Sequence, residues 1–241
     1  VPGQKESGAV SDKIKLDKAA LKLQDRARDS LETLKTQEIS YQVPVVVVAG
    51  SCATAEDEHM QQYQELLIEG FQNYTGIIFS GGTLNGIGGL VGDLVENRSP
   101  DSPSPFHAFA YRPERLPDPA PLDNRYHRHI HTQGQDFSPL EPLQMWIDLL
   151  ASEIDPRQVK ILGIGGGDIS SFEYRLAVLL GAQVGIIQGS GREADALLND
   201  VKWNAAGCLL PLPEDRMSIK LFITNPNPMI APDRIEQMAM K

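Results

Sequence analysis

The sequence predicts an open α/β fold: a parallel sheet with helices on both faces, preceded by one amphipathic helix. Three observations carry that expectation. Apolar runs such as "VPVVVVAGS" (Val43 to Ser51) and "VKILGIG" lack polar alternation, as strands buried on both faces do. Helix-period patterns stand between these runs. Four of the runs end in glycine turns: "AGSCA", "SGGTLNGIGG", "GIGGGDISS" and "QGSGR".

In chain order, residues 1 to about 40 form the first unit. "DKIKLDKAALKLQDRARDSLETL" sets Ile14, Leu21, Leu23, Leu31 and Leu34 among many charges, a narrow apolar stripe on one helix. It reads as a linker or oligomerisation helix, against the alternative of a helix lying on its own domain. The main domain, residues 41–241, opens with the Val43 to Ser51 strand. "TAEDEHMQQYQELLIEGFQNY" follows, with acids in its first turn and apolar spacing through Met60, Tyr63, Leu67 and Phe71. "GIIFSGG" is a second strand, "NGIGGLVGDLVEN" a glycine-rich helix and "FHAFAY" a third strand. "PLEPLQMWIDLL" is a helix with Ser138 as N-cap and Pro139 at its first position. "VKILGIG" and "QVGII" are the fourth and fifth strands, with a helix from Ser170 to Leu180 between them, and "CLLPLP" is a sixth. Residues Arg112 to Phe137 break the alternation. That proline-rich stretch leaves the carboxyl end of the third strand and reads either as a lid or as a surface excursion.

Bulk properties narrow the function classes. The formal net charge of −10 over 241 residues argues against nucleic acid and anionic membranes as partners. The two cysteines, Cys52 and Cys208, cannot build a disulfide framework, which fits a cytoplasmic setting. No apolar run reaches the roughly 20 residues of a membrane span. The chain starts at Val1 and stops after "QMAMK", and it is expected to be a segment of a longer protein carrying an effector domain.

Glycine admits positive φ and lets backbone approach a ligand closely, and a following helix N-terminus offers unpaired N–H groups to an anion. Several such turns along one sheet edge therefore point to a phosphate-bearing ligand. Candidate ligand-binding residues are Gly50, Ser51 and Cys52 after the first strand, then Ser80, Gly81, Gly82, Thr83 and Gly86 after the second. The fourth strand adds Gly165, Gly166, Gly167, Asp168, Ser170 and Glu173; the fifth adds Gly189, Ser190 and Arg192. Arg192 can pair bidentately with phosphate. No G-x-x-x-x-G-K-[ST] occurs, and "GIGGGD" lacks the G-x-G-x-x-G spacing, so neither a P-loop nor ordinary hydride-transfer NAD chemistry is indicated.

The stretches "VVVVAGS", "FSGGTLNGIGGLVG", "ILGIGGGDISSFEYRLAVLLGAQVGII", "GSGREADALL" and "LLPLPEDRMSIKLFI" resemble the SLOG superfamily of Rossmann-like domains, from Val43 to about Leu221. Within it they resemble the bacterial branch akin to the amino-terminal domain of TRPM channels. The related lonely-guy phosphoribohydrolases carry P-G-G-x-G-T-x-x-E at the fourth-strand turn. Gly166 and Gly167 match the paired glycines, Ser170 stands at the threonine and Glu173 at the glutamate. Gly165 replaces the proline and Ile169 the third glycine, which alters the loop that presents the glutamate. The resemblance implies a pocket for nucleotide-derived ligands such as ADP-ribose, cyclic ADP-ribose-like products or nucleoside monophosphates, in sensor modules fused to effectors, including antiviral defence proteins.

Glu173 then has two readings: a contact to ribose hydroxyls, or a helix-dipole carboxylate. Asp168 is the nearest second acid and doubles as a candidate N-cap. His127, His129 and His131 alternate and share a face if extended, yet no cysteine pattern supports a metal. No metal and no resident cofactor are expected, only the ligand. The expectation is a ligand-sensing, homo-oligomeric domain with no confident catalytic residue; the alternative is a phosphoribohydrolase using Glu173.

Overall fold

The computed structural model describes residues 39–51, 58–98, 106–116 and 121–225. The helix expected within residues 1–40 falls outside these, and Cys52 falls outside as well.

Seven strands build one sheet: β1 (Val45–Ser51), β2 (Ile77–Ser80), β3 (His107–Pro113), β4 (Arg128–Thr132), β5 (Val159–Gly165), β6 (Gln183–Ile187) and β7 (Leu209–Leu212). Their spatial order is β4-β3-β2-β1-β5-β6-β7, and every neighbouring pair is parallel. The helices are α1 (Glu58–Gly70), α2 (Gly86–Glu96), α3 (Leu140–Ala151), α4 (Asp168–Leu180), α5 (Arg192–Asn199), the one-turn α6 (Val201–Asn204) and α7 (Arg216–Thr224).

Strand side chains alternate between two cores. Val47, Ala49, Phe79 and Ile161 face a cluster closed by Trp146 of α3, Tyr174 of α4 and Leu197 of α5. Val46, Val48, Ile78 and Leu162 face a second cluster closed by Leu67 of α1, Val91 of α2 and Phe222 of α7. Each fully buried Val, Leu or Ile contributes about 1.5–3 kcal/mol, so unbroken apolar strands fit a sheet covered on both sides. All seven residues of β5 are buried.

The expected six strands become seven, because the Arg112 to Phe137 stretch is not an excursion free of structure. It contains β4, paired in parallel with β3 through Ala110↔His129 and Arg112↔His131. As an edge strand it buries only Ile130 and Thr132 fully, so its sequence reads as a polar loop. Arg125 anchors the stretch before it, donating to both carboxylate oxygens of the buried Asp123, to Asp93 of α2 and to the carbonyl of Gly89. The chain then enters α3 through the expected cap. Ser138 Oγ accepts from Leu140 N at 3.2 Å, and the Glu141 carboxylate accepts from Ser138 N at 2.7 Å.

Among the described residues, no helix is long and apolar enough to cross a membrane.

Candidate functional site

Strand order reverses at β1: successive strands run outward from it to β4, and the chain then returns to its other side as β5. Ligands of open α/β sheets bind at such a switch point, outside the carboxyl ends of the strands. Here those ends are Ser51 and Gly165, paired with each other in the ladder, and both run toward the same edge as the turns after β2 and β6.

The floor beneath the switch point is closed by Tyr174. Its fully buried hydroxyl donates to the carbonyl of Ala49 at 3.1 Å, with that of Gly165 at 3.5 Å. Gly50 must be glycine, since φ is +147° and a Cβ would drive into the carbonyl of Ile164. Gly166, at φ +97°, likewise has Ser170 where a Cβ would go. The buried Ser170 thus packs under the turn. Ser51 ends β1, and nothing of its side chain is described.

The turn after β5 leads straight into α4. Gly167 is the N-cap, in extended conformation, and no side chain caps the helix. Asp168, a candidate for that cap, is instead the first helical residue and is exposed. The second glycine turn enters α2 in the same way, with Asn85 as an N-cap whose side chain makes no capping bond. α5, entered through Gly191, also lacks a side-chain cap, whereas α6 and α7 have one. Asp215 accepts from Met217 N and Ser218 N at the start of α7, and Asp200 from Lys202 N at the start of α6. The uncapped termini of α2 and α4 therefore flank the switch point, each with N–H groups and a positive dipole end.

The turn after β6 is arranged otherwise. Asp195 accepts from Gly189 N and from Gly191 N, both at 3.0 Å, and Ser190 N donates to the carbonyl of Ile187 at 3.3 Å. Those three amides are thus engaged within the turn. Ser190 Oγ accepts from Gly165 N at 3.0 Å, tying this turn to the β5 turn. Arg192 follows at φ +54°, a left-handed conformation for a non-glycine residue. A Cβ added to Gly167 would lie 3.4 Å from Arg192 Nη2, so the guanidinium stands beside the N-cap of α4. Arg175 is turned to α5, donating to Ser171 and lying 3.6 Å from Glu193 Oε2.

Glu173 lies one turn further along α4. Ser171 and Arg175 face α5, and Glu173 stands roughly 200° around the helix from Ser171, so it points to the α3 side. It is half-buried and has no hydrogen bond or ion pair among the described residues. Desolvation pushes its carboxyl up from the ordinary value of 4.5 to about 7.

The remaining candidates sit in the β2 turn. Ser80 Oγ donates to the carbonyl of Val48 at 2.9 Å and Thr83 Oγ1 to that of Asn85 at 3.0 Å, so both hydroxyl protons serve local backbone. Gly82 is buried at φ +70° against Ala110 and His129, whereas Gly86, at φ +67°, opens α2 with free space at its Cβ position. Gly81 is half-buried under the ring of Phe137.

The histidines do not gather. His127 Nδ1 accepts from Ala108 N, His129 Nε2 faces the carbonyl of Asp123, and His131 Nε2 faces Arg112. Arg112 is held there on the β3–β4 edge. Among the described residues no group of three or more metal-type ligands forms. A separate groove of about 600 Å³, lined by Phe71, Tyr74, Arg98, Phe106, Arg216 and Lys220 among others, borders the starts of β2 and β3, away from the glycine turns.

Two residues of the site were not singled out by sequence reading. Asp195 looks like an ordinary first-turn acid of a helix, although its place after "GSGRE" puts a carboxylate within reach of the turn amides. Phe137 lies in a polar stretch with no periodic signal.

The strand order and covering helices define a Rossmann-like α/β domain, with the side-chain-uncapped N-termini of α2 and α4 beside its switch point. Residues 43–211 match the family model described as SLOG in TRPM, prokaryote, and the chain belongs to that family. No curated protein matches it. Among solved structures it is similar to the structural-genomics protein TM1055, at 17% identity over 71% of this chain and 92% of that one, with a TM-score of 0.49. It is also similar to the molybdenum cofactor carrier protein of Chlamydomonas reinhardtii, at 14% identity over 83% and 100%, TM-score 0.48. A third is the molybdenum cofactor binding protein of the phototrophic bacterium Rippkaea orientalis, at 15% identity over 83% and 96%, TM-score 0.41.

Proposed function

We propose that this domain binds a nucleotide-derived anion at the switch point and acts as the sensor of an attached effector. The observation that carries the reading is the N-terminus of α4: glycine-built, without a side-chain cap, with Arg192 beside it and, one turn on, Glu173, which has no hydrogen bond or ion pair among the described residues. A phosphate at Gly166, Gly167 and the first amides of α4 meets N–H donors and the dipole, with Arg192 as countercharge. Ribose hydroxyls then donate to the Glu173 carboxylate. The local donors have to act against a chain of net charge −10, which favours a ligand that also makes neutral contacts. ADP-ribose, cyclic ADP-ribose-like products and nucleoside monophosphates all present this chemistry. Binding that favours one arrangement of a homo-oligomer would switch the effector by population shift, in a role such as antiviral defence.

The test is a thermal-shift screen against ADP-ribose, cyclic ADP-ribose isomers, NAD, AMP and cyclic dinucleotides. A ligand at 100 times its Kd adds about 2.7 kcal/mol. A shift produced by one of them and lost in Arg192→Ala supports the reading; no shift from any of them removes it.

A second reading is a phosphoribohydrolase, favoured by one observation. A carboxyl titrating at about 7 is matched to general acid or base work at neutral pH. Chromatographic release of a free base from a nucleotide, abolished by Glu173→Gln, would support it; intact nucleotide after prolonged incubation would exclude it.

A further inference from the structure

Phe137 is an aromatic residue outside both cores. It joins neither buried cluster, makes no ring–ring contact among the described residues, and is half-buried. Its ring edge lies 3.6 Å from the point where a Cβ on Gly81 would be, so it covers the glycine turn that ends β2. Gly81 lies two residues after Phe79 and so continues the sheet face that carries α3 and α4. On that face two segments stand at the carboxyl edge of the sheet. The start of α4 with Glu173 is one, and the segment leading into α3, with Phe137, is the other.

The ring is held in place. Glu141, 4% exposed, accepts from Thr132 Oγ1 at the end of β4 and from Ser138 N, closing the short loop on both sides of Phe137. The Phe137 amide donates to Asp136 Oδ1 at 2.6 Å. A half-buried aromatic ring, on a loop tied down by a buried carboxylate and lying over the glycine turn that ends β2, is a preorganised flat surface at the carboxyl edge of the sheet.

We infer that Phe137 is the stacking platform for a planar heteroaromatic group of the ligand, with Glu141 as its positioning residue. This rests on the anion-site reading above and adds to it the residue that receives the ligand's base. Base–aromatic stacking accounts for roughly 5- to 150-fold in affinity per base, and it accepts any base because each has a π-face.

The experiment compares AMP with ribose 5-phosphate by calorimetric titration of the full chain and of Phe137→Ala. The expected result is that AMP binds at least roughly fivefold more tightly to the unmodified chain, and that Phe137→Ala brings the two ligands together by weakening AMP alone. Phe137→Trp supplies a second readout, with indole fluorescence quenched by AMP but not by ribose 5-phosphate. Equal affinities in the unmodified chain, or a preference for AMP that survives Phe137→Ala, would overturn the stacking role while leaving the anion site standing. If neither compound binds, the stacking proposal fails, while the anion-site reading is decided separately by the wider ligand screen.

Discussion

The hydroxyl of Ser190 accepts a hydrogen bond from the amide of Gly165 at 3.0 Å, fastening the turn after β6 to the turn after β5. Asp195 holds the first of these turns from inside, and Gly165 begins the second. The position of Arg192 beside Gly167 follows from that fastening. Ser190→Ala should cost about 1 kcal/mol of stability, the worth of one buried hydrogen bond, read as a lower midpoint in urea. It should also weaken any ligand that depends on Arg192, while Asp155→Ala, a cap on the loop that enters β5 from the opposite edge of the sheet, should alter stability alone.

Arg192 has φ of +54°, which suits glycine and strains every L side chain. Arg192→Gly and Arg192→Ala both remove the guanidinium and differ in that strain. The glycine variant should be the more stable of the two by about 1 kcal/mol, measured by thermal or chemical denaturation. Equal stabilities would mean the backbone at this position relaxes.

Glu173 gives a pH signature. Its carboxyl keeps its proton up to about 7 in the folded chain and only to about 4.5 when unfolded. Between those values the folded state binds more protons, so this group's contribution is full below 4.5 and is lost as pH rises through 7. Glu173→Gln should therefore raise Tm at pH 7.5, leave it nearly unchanged at pH 4, and flatten the decline between. A ligand that donates hydrogen bonds to the carboxylate should bind more tightly as pH rises through 7 and release a proton when bound at lower pH.

Lys160 is buried on β5, and its ammonium donates to the carbonyls of Phe222 and Asn225, each at 2.6 Å, and of Ile223 at 2.9 Å. It thereby closes the C-terminal end of α7. Lys160→Met should leave those carbonyls short of donors and cost about 1–3 kcal/mol, with hydrogen exchange accelerating first in α7.

Much of this was legible in the sequence. β1 and β5 were readable because strands buried on both faces are continuous apolar runs, and their glycine ends mark the carboxyl edge of the sheet. Ser138 was readable as a cap because it stands just before Pro139, which suits the first position of a helix. β4 was not, because "RHIHT" is an edge strand with only two fully buried residues and a polar remainder. The β6 turn shows the limit at the site itself. Its glycines suggest phosphate, and only the structure places the Asp195 carboxylate on two of their amides. The reverse holds for Glu173, whose motif position was visible and whose missing partner was not.

The central claim is that a nucleotide-derived anion sits on the N-terminus of α4. The most direct measurement is amide chemical-shift perturbation on the isotopically labelled chain during titration with AMP and ADP-ribose. The account predicts that the largest shifts fall on Gly166, Gly167, Asp168 and Ile169, with Gly81 following for the base-bearing compounds. Shifts confined to the groove around Phe71, Arg98 and Lys220, or none at saturating ligand, would contradict it.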